Sequence, residues 1–550
     1  MTYKPFSLSG NIVDVINQRI FPGTIRVVQG KIQAIVEESV TETQHILPGL
    51  IDAHIHIESS MLVPTEFARA AVIHGTVATV SDPHEIANVL GMRGVQFMLD
   101  NAEKTPFKFH FGAPSCVPAT PFETAGASLS ASDIEELLKL PNMVSLSEMM
   151  NVPGVLNDAE DVLHKLKLAQ AAGKIIDGHA PGLRGAAVKK YIEAGITTDH
   201  ECFSIEEALE KLSLGMLVQI REGSAARNLD DLMPLLNEHY KSCMLCSDDK
   251  HPDDLAEGHI NEMVRRAIAA GIDPLKALWS ATVTPVRTYG LKVGLLQLGD
   301  AADMMIIDNF SDFNVLTTYI DGSIVAANGN TLLESLPIEI VNQFEAELQK
   351  PEVFKLKPKA SRIPVIEVID GQLVTKKYEW NPILDAAGFI QNDLDKDILK
   401  IAVLNRYSKS APAVGYIKNF GLKAGAIASS VAHDSHNIVA VGTTDVDLAT
   451  AMNLIIANRG GIAAVTPTGN HVLPLPVAGI MSADDAFKVG KIYGRMDDIA
   501  KELGSQLSAP YMTLSFMALL VIPDIKLSDR GLFDGETFEF IDVFKPNVVG

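Results

Sequence analysis

Cysteine is scarce in this sequence. Only four occur among 550 residues, at positions 116, 202, 243 and 246. That number is too small for a disulfide framework and suits a protein of the reducing cytosol. The longest apolar run near the C-terminus, residues 516–523, is too short to span a bilayer. The opening residues, MTYKPFSLSGN, lack the apolar core of a signal peptide. We therefore expect a cytoplasmic protein with no membrane-spanning segment.

Positive charge is also in short supply. The chain has 46 lysines and arginines against 68 acidic residues, a formal net charge of −22. A field of that sign repels phosphate backbones and anionic lipid surfaces, so we expect no nucleic-acid or membrane partner. Hydrophobic residues make up 47% of the chain, which is enough to build large cores. At 550 residues the chain is too long for one ordinary domain, so two or three are expected.

The hydrophobic pattern changes twice along the chain. Residues 1–47 read as short strands with alternating apolar and polar side chains, separated by turns. From about residue 47 to about 290, we count eight apolar strands, each followed by a loop and a helical segment. Alternation of this kind implies a parallel sheet, and eight units over roughly 250 residues are typical of a (β/α)₈ barrel. After residue 290 the short alternating strands return.

These changes predict an α/β protein of three parts. Residues 1–47 and 291–345 would pair into one small β domain built from both flanks of the barrel, because their short strands match in pattern. Residues 48–290 would form the catalytic barrel. Residues 346–550, which mix strand and helix patterns, would form an additional C-terminal α+β domain.

The most informative stretch is PGLIDAHIHIESS, residues 48–60. Residues two apart on a strand point to the same face, so His54 and His56 lie side by side. Two imidazoles on one rigid strand make half of a transition-metal site. Taken alone, the pair could equally be two histidines satisfied by hydrogen bonds.

The ends of later strands carry more side chains of the same chemistry. They are Glu148 on the fourth strand, His179 on the fifth, His200 on the sixth, and Asp248 and Asp249 on the eighth. Active sites of such barrels lie at the carboxyl ends of the strands, so these groups can converge on one mouth. Imidazole and carboxylate ligands suit Zn²⁺, Fe²⁺ or Mn²⁺, and a carboxylate on the fourth strand could bridge two ions.

The order of these ligands resembles the amidohydrolase superfamily. The wording of several motifs is similar to the bacterial-type adenine deaminases within it: GLIDAHIHIESSM, SDPHEIANVLG, SEMMNVPGV, DGHAPGL, DHEC, REGSAARN, SDDKHPDDL and VAHDSHNI. The resemblance covers nearly the whole chain. It implies hydrolysis of adenine to hypoxanthine and ammonia at a dinuclear Mn²⁺ or Fe²⁺ centre, with Zn²⁺ as an alternative. It also implies a ligand set with Glu148 bridging: His54, His56, Glu148, His179 and His200.

The chemistry of the reaction agrees with these residues. Carbon 6 of adenine is a poor electrophile, so the attacking water must be activated, and a metal ion lowers the pKa of water to roughly 7. A nearby carboxylate can move the proton to the leaving amine. We assign this shuttle to Asp248, which could also touch the metal. His200 could steady the water or bind the second ion, and the sequence leaves the two roles open.

Four further residues are candidate substrate contacts. Arg221 and Glu222 follow the seventh strand, and a glutamate suits the ring N–H groups of adenine. Asp249 follows Asp248, and His84 lies in SDPHE after the second strand. SDPHE and AHDSHN (432–437) could each form an extra metal site or close over the substrate. Loop hydrogen bonding explains them equally well.

Two rival functions remain open at this point. A related enzyme could open a cyclic amide such as a hydantoin or a dihydropyrimidine, and the released product would separate the two reactions. A barrel without activity could serve as a binding partner, although the full ligand set argues against it. The zinc nucleobase deaminase signature fits poorly, because Ser242 stands where a proline should precede Cys243. The extra C-terminal domain could supply a dimer surface, so we expect a homodimer.

Overall fold

The computed structural model describes residues 4–224 and 226–545. The N-terminal segment contains four strands: β1 (Phe6–Asp14), β2 (Arg19–Val28), β3 (Lys31–Glu37) and β4 (His45–Pro48). β1 and β2 form a long antiparallel pair, β3 extends it, and β4 pairs with β1 in parallel. β4 runs almost directly into the first strand of the next sheet.

The predicted (β/α)₈ barrel is confirmed. Its strands are β5 (Leu50–Ile55), β6 (Thr76–Ser81), β7 (Lys108–Ala113), β8 (Met143–Met149), β9 (Ile175–Gly178), β10 (Thr198–Asp199), β11 (Leu217–Arg221) and β12 (Cys243–Cys246). β5–β9 form one parallel sheet and β10–β12 another. The Thr197 N–H donates to the carbonyl of Ile176 at 2.9 Å, and that of Asp248 to the carbonyl of His54 at 2.9 Å. These bonds join the two sheets at both seams and close the barrel.

Helices cover the outside of the barrel. They are α1 (Pro64–Ala71), α2 (His84–Leu90), α3 (Met92–Ala102), α4 (Ala131–Leu138), α5 (Val152–Leu156), α6 (Glu160–Ala171), α7 (Gly185–Glu193), α8 (Ile205–Ser213), α9 (Leu229–Leu232), α10 (Pro252–Glu257), α11 (Ile260–Ala269) and α12 (Pro274–Tyr289). Short 3₁₀ turns span Ile57–Ser60, Val72–His74, Met233–Asn237 and Tyr240–Ser242.

Local sequence signals explain where these helices begin and end. The Asp273 side chain accepts a hydrogen bond from the backbone of Leu275, and Pro274 opens α12 without losing a helical bond. Gly290 ends the same helix at φ 65°, in the left-handed region that glycine adopts without strain. Ser130 and Asp133 form a reciprocal capping box at α4.

After the barrel, the chain returns to the first sheet through β13 (Met304–Ile307), β14 (Val315–Ile320), β15 (Ser323–Ala327) and β16 (Asn330–Thr331). The resulting eight-stranded sheet has the order β16-β15-β14-β13-β4-β1-β2-β3. β13 and β4 pair directly, so strands from before and after the barrel share one sheet. The limits of the three domains given from the sequence stay predictions.

The C-terminal part is built on a second eight-stranded sheet. Its strands and their neighbours are β17 (Lys357–Pro358), β18 (Ile363–Glu367), β19 (Lys376–Trp380), β20 (Ile398–Leu404), β21 (Ala413–Lys418), β22 (Ala426–Ser429), β23 (Ile438–Gly442), β24 (Gly461–Thr466), β25 (Gly469–Pro474), β26 (Ile525–Ser528), β27 (Gly531–Asp534), β28 (Glu539–Phe540) and β29 (Phe544–Lys545). The large sheet has the order β19-β18-β21-β20-β23-β22-β24-β25. The helices are α13 (Asp445–Asn458), α14 (Ala486–Glu502) and α15 (Pro510–Phe516), with a 3₁₀ turn at Pro351–Phe354.

The C-terminal part packs tightly on the barrel. One buried hydrophobic cluster contains barrel residues such as Val80 and Leu146 together with Met496 and Tyr511. The backbone N–H of Ser482 donates to the carbonyl of Met61 at 2.8 Å. The two parts therefore share a core, with α14 lying close to α10.

No helix in the described ranges is long and apolar enough to cross a membrane.

Candidate metal centre and active site

The barrel brings the predicted metal ligands together at one end. They are His54 on β5, His56 directly after it, Glu148 in β8, His179 after β9, His200 after β10 and Asp248 after β12. Five of them are at most 3% exposed, and the sixth, His179, is partly exposed. Because parallel strands all end at the same rim, six residues spread over almost 200 positions become neighbours.

Glu148 lies at the centre of this cluster. Its Oε1 is 3.3 Å from Nε2 of His56. Its Oε2 is 2.8 Å from Nδ1 of His179 and 3.2 Å from Nε2 of His200. The two oxygens therefore face different histidines, as a carboxylate that bridges two ions requires.

Asp248 closes the other side of the cluster. Its Oδ1 lies 3.2 Å from Nε2 of His56 and 3.5 Å from Nε2 of His54. Its backbone adopts φ 54°, in the left-handed region that aspartate tolerates better than most residues. The backbone N–H of His56 donates to the carbonyl of Asp248 at 3.3 Å. The same bonds that close the barrel thus aim this carboxylate at the two histidines.

The donor atoms fit divalent metal ions. His54, His56 and Asp248 each offer a ligand atom within 4.8 Å of the others, and so do His54, Glu148 and His200. Nε2 of His54 is buried and has no hydrogen-bond partner among the described residues. A buried imidazole nitrogen that faces carboxylates and has no hydrogen bond is typical of a metal ligand. Imidazole and carboxylate donors suit Zn²⁺, Fe²⁺ and Mn²⁺ alike.

The electrostatics keep the two acids of the cluster ionised. Burial alone would raise the pKa of Glu148, but His179, His200 and His56 hold it well below its usual range. Burial also opposes ionisation of Asp248, and Arg221 with the histidines holds the pKa of that carboxyl well below its usual range. Both side chains are therefore carboxylates at neutral pH, the form that binds metal.

Comparison with known proteins identifies the family. Residues 45–325 match the model described as amidohydrolase family, and residues 372–539 match the adenine deaminase C-terminal domain. An adenine deaminase from Sulfurovum sp. is 55% identical over 97% of this chain and 99% of its own length. One from Salinibacter ruber is 52% identical over 98% and 99%. The chain belongs to the adenine deaminase family. Among solved structures, N-acetyl-D-glucosamine-6-phosphate deacetylase from Mycobacterium smegmatis aligns with 58% of this chain and 100% of its own, at 16% identity and a TM-score of 0.46.

A cavity of about 550 Å³ opens beside the metal-ligand cluster of this adenine deaminase family member. Its lining includes His179, Glu201 and Arg221 from the barrel. Residues 371–374 and 521–523 of the C-terminal part also line it. The volume is in the range of small-molecule sites. A ligand in this cavity would therefore touch both parts of the chain.

Arg221 lies at the cluster, held between two acids. Its guanidinium donates to Oδ2 of Asp248 at 2.5 Å and to Oε1 of Glu201 at 2.5 Å. The second guanidinium nitrogen donates to Oε2 of Glu201 at 2.9 Å. Burial would lower the pKa of Arg221, and the two carboxylates raise it above its usual value. The arginine therefore acts directly on the acid that we assigned to proton transfer.

The structure does not bring Glu222 to the cluster, and its role as a substrate contact stays a prediction. Its Oε1 accepts from Arg266 at 2.5 Å, and it lines a separate polar cavity of about 360 Å³. β11 ends at Arg221, the backbone N–H of Glu222 donates to the carbonyl of Cys246 at 3.0 Å, and Glu222 stands opposite Arg227 in an isolated antiparallel bridge. The chain thus turns this side chain away from the larger cavity.

Glu201 is the residue that sequence reasoning missed. It lies 3.5 Å from Nε2 of His200 and 3.6 Å from Nδ1 of His179. Strand alternation would place it on the opposite face from His200, but β10 contains only Thr198 and Asp199. A second acid directly after a ligand histidine, in DHEC, was the available signal.

Two buried side chains from helices support the second half of the cluster. Lys211 in α8 donates to the carbonyl of Ala180 at 2.7 Å and to Asp199 at 2.8 Å. Tyr191 in α7 accepts from the backbone of His179 at 3.1 Å and donates to the carbonyl of Met149 at 2.6 Å. The groups that they contact belong to His179 or to chain neighbours of Glu148, His179 and His200, so Lys211 and Tyr191 fix where the strands with these predicted ligands end.

His84 contacts the cluster, and Asp249 directly follows Asp248 in the chain. Nδ1 of His84 lies 3.0 Å from Oδ2 of Asp82 and 3.4 Å from Oε1 of Glu148. Asp249 accepts from the hydroxyl of Ser59 at 2.5 Å. Burial, and then Asp248, raises the pKa of Asp249. The substrate roles of both residues stay predictions.

Proposed function

We propose that this chain hydrolyses adenine to hypoxanthine and ammonia at the cluster centred on Glu148. The observation that carries the proposal is the Glu148 carboxylate, whose two oxygens face separate sets of histidines at 2.8–3.3 Å. The names of the relatives supply the substrate, and they cover nearly the full chain at 52–55% identity. They also favour adenine over a cyclic amide.

His54, His56 and Asp248 would hold one metal ion, and His179 and His200 the other, with Glu148 shared between them. The donors suit Mn²⁺, Fe²⁺ and Zn²⁺ alike. We favour Mn²⁺ or Fe²⁺, as the family resemblance implies, with Zn²⁺ as the alternative. When bound, such ions supply a water whose pKa is lowered to roughly 7.

Asp248 takes the proton of the attacking water and passes it to the exocyclic amine of adenine. The carbon 6 to nitrogen bond then breaks, ammonia leaves, and the oxygen stays on the ring. Arg221 keeps Asp248 ionised and fixes its Oδ2, so that Oδ1 stays turned towards His54 and His56, where it would both face the ion and move the proton. We assign Glu201, Arg221, His84 and Asp249 to the walls of the substrate site.

The test is ammonia release from adenine by protein purified with Mn²⁺ supplied, beside a metal-stripped sample. We expect release from the loaded sample alone, and recovery when Mn²⁺ is returned. The same protein should leave a hydantoin and a dihydropyrimidine intact. Ring opening without adenine turnover would move the assignment to the cyclic amides. A cytoplasmic location and a homodimer remain predictions from the sequence.

A further inference from the structure

A second buried glutamate lies beside the metal-ligand cluster and is held from the other domain. Glu85, 1% exposed, is the second residue of α2 in the barrel. Its Oε1 contacts Nδ1 of His433, and its Oε2 contacts Nε2 of His436. Both histidines belong to the AHDSHN segment of the C-terminal part, almost 350 positions further along the chain. One carboxylate thus uses both oxygens to join the two parts.

Contacts other than those with Glu85 also hold the two histidines and their segment in place. The ring of His433 stacks on Phe516, with centroids 4.6 Å apart and planes at 13°. Nδ1 of His436 accepts from the backbone N–H of Ala432 at 3.3 Å, which leaves Nε2 to donate. The segment is also tied to the barrel, because Asn437 donates to the carbonyl of Thr124 at 2.9 Å. The contact therefore has a single geometry.

Glu85 in turn bears on the metal-ligand cluster through its neighbour. Nε2 of His84 lies 3.5 Å from Oε1 of Glu85, and Nδ1 of the same ring lies 3.4 Å from Oε1 of Glu148. The ring of His84 also packs on His56, with centroids 4.5 Å apart. A shift of Glu85 would thus move an imidazole that touches both a predicted ligand and the predicted bridge.

We propose that His433 and His436 are positioning residues for the deamination reaction. They hold Glu85, and through it the His84 imidazole, against Glu148. The C-terminal domain is then part of the catalytic apparatus, although neither histidine touches the ligand set of the two ions. This inference rests on the proposed function only in its kinetic readout.

The ring nitrogens that contact Glu85 allow a matched test. An asparagine amide nitrogen occupies nearly the place of histidine Nδ1, and a glutamine amide nitrogen that of Nε2. The full-length variants His433→Asn and His436→Gln therefore keep a donor where Glu85 needs it. His433→Gln and His436→Asn have the same chemistry at the wrong reach. His433→Ala and His436→Ala remove the donor.

We expect the alanine and wrong-reach variants to retain wild-type Mn²⁺ content and to lose about 10²-fold in kcat, the usual cost of a misplaced group. The right-reach variants should recover most of that loss. A purely structural role predicts instead that melting temperature changes while kcat does not. Equal kcat for the right- and wrong-reach variants, or wild-type kcat in His433→Ala, would overturn the proposal.

The EPR spectrum of the Mn²⁺-loaded protein gives a readout without turnover. We expect its line shape to change in the wrong-reach variants and to return in the right-reach variants, because His84 packs on the ligands. Absence of adenine turnover in the wild type would overturn the proposed function alone. Identical spectra in all Mn²⁺-loaded variants would overturn the positioning role.

Discussion

Glu148 and Glu85 are both buried among histidines, and they differ in how their carboxylate oxygens contact the imidazole rings. Around Glu148, three predicted ligand histidines stand at 2.8–3.3 Å, and a fourth, His54, has an unpartnered nitrogen. Around Glu85, two histidines bond the carboxylate directly, one to each oxygen. Beside Glu148, a buried histidine nitrogen faces the acids without a hydrogen bond, whereas at Glu85 each carboxylate oxygen is taken by one imidazole.

The difference shows that residue types alone do not decide a role. Both groups are glutamate and histidine, and both are almost fully buried. The two groups differ in which part of the chain supplies their histidines. The histidines of Glu148 come from strand ends of the same barrel, which hold ligands apart around a common point. His433 and His436, which contact Glu85, come from the C-terminal part, and its packing on the barrel brings them directly against the carboxylate.

The largest expected effect is at Glu148. Glu148→Gln replaces a two-oxygen anion with a neutral amide, so we expect loss of bound metal and a fall in kcat of about 10⁴-fold or more. Metal analysis and ammonia release check both. Glu85→Gln should instead keep its metal. If Glu148→Gln bound metal like the wild type, the contrast between the two glutamates would be wrong.

The next effect is at Asp248. Asp248→Asn keeps the shape of the side chain but cannot accept a proton, so we expect retained metal and a loss of about 10³-fold in kcat. Asp253→Asn is the control, since that aspartate lies nearby in α10, outside the cluster. Normal turnover in Asp248→Asn would refute its role as the proton shuttle.

The Glu85 group should reveal itself through pH and stability. Burial lowers the pKa of His433, but Glu85 and Asp249 raise it to about 9 in the folded protein. The unfolded value is about 6.5, so the stabilisation is complete below pH 6.5 and is lost as pH rises through 9. We expect the free energy of unfolding to fall by about 3 kcal/mol more over this range in the wild type than in His433→Asn. Parallel pH profiles would contradict a charged pair.

The smallest effect should come from Glu123, another buried glutamate. Burial, and then Asp434, raises the pKa of Glu123 well above its usual range, which favours the neutral side chain. Glu123→Gln has almost the same shape as the protonated acid. We expect kcat and metal content within about twofold of the wild type. A larger change would mean that the functional region extends beyond the two glutamate groups.

Much of the barrel and its ligand set could be predicted because strand ends carry positional information. His54, His56 and Glu148 each follow or end an apolar strand, and such ends meet at one rim. Strand ends are less informative where strands stop early. Glu222 lies just past the end of β11, and Glu201, which the sequence analysis did not single out, follows a two-residue strand.

The contact of Glu85 with His433 and His436 was beyond local reasoning. SDPHE and AHDSHN each looked like a loop that could bind metal or cover the substrate. Nothing in either segment encodes that they meet, because the contact depends on how two domains dock. The shared core that decides the docking is assembled from residues spread along most of the chain.

The backbone bonds between Asp248 and the His54–His56 segment have a consequence for synthesis. They join the last strand of the barrel to the first, so the site cannot exist until almost 250 residues have been made and folded together. Long-range closures of this kind form late in folding. A nascent chain therefore carries His54 and His56 for almost 200 residues of synthesis before Asp248 is made, and Glu85 is made almost 350 residues before His433.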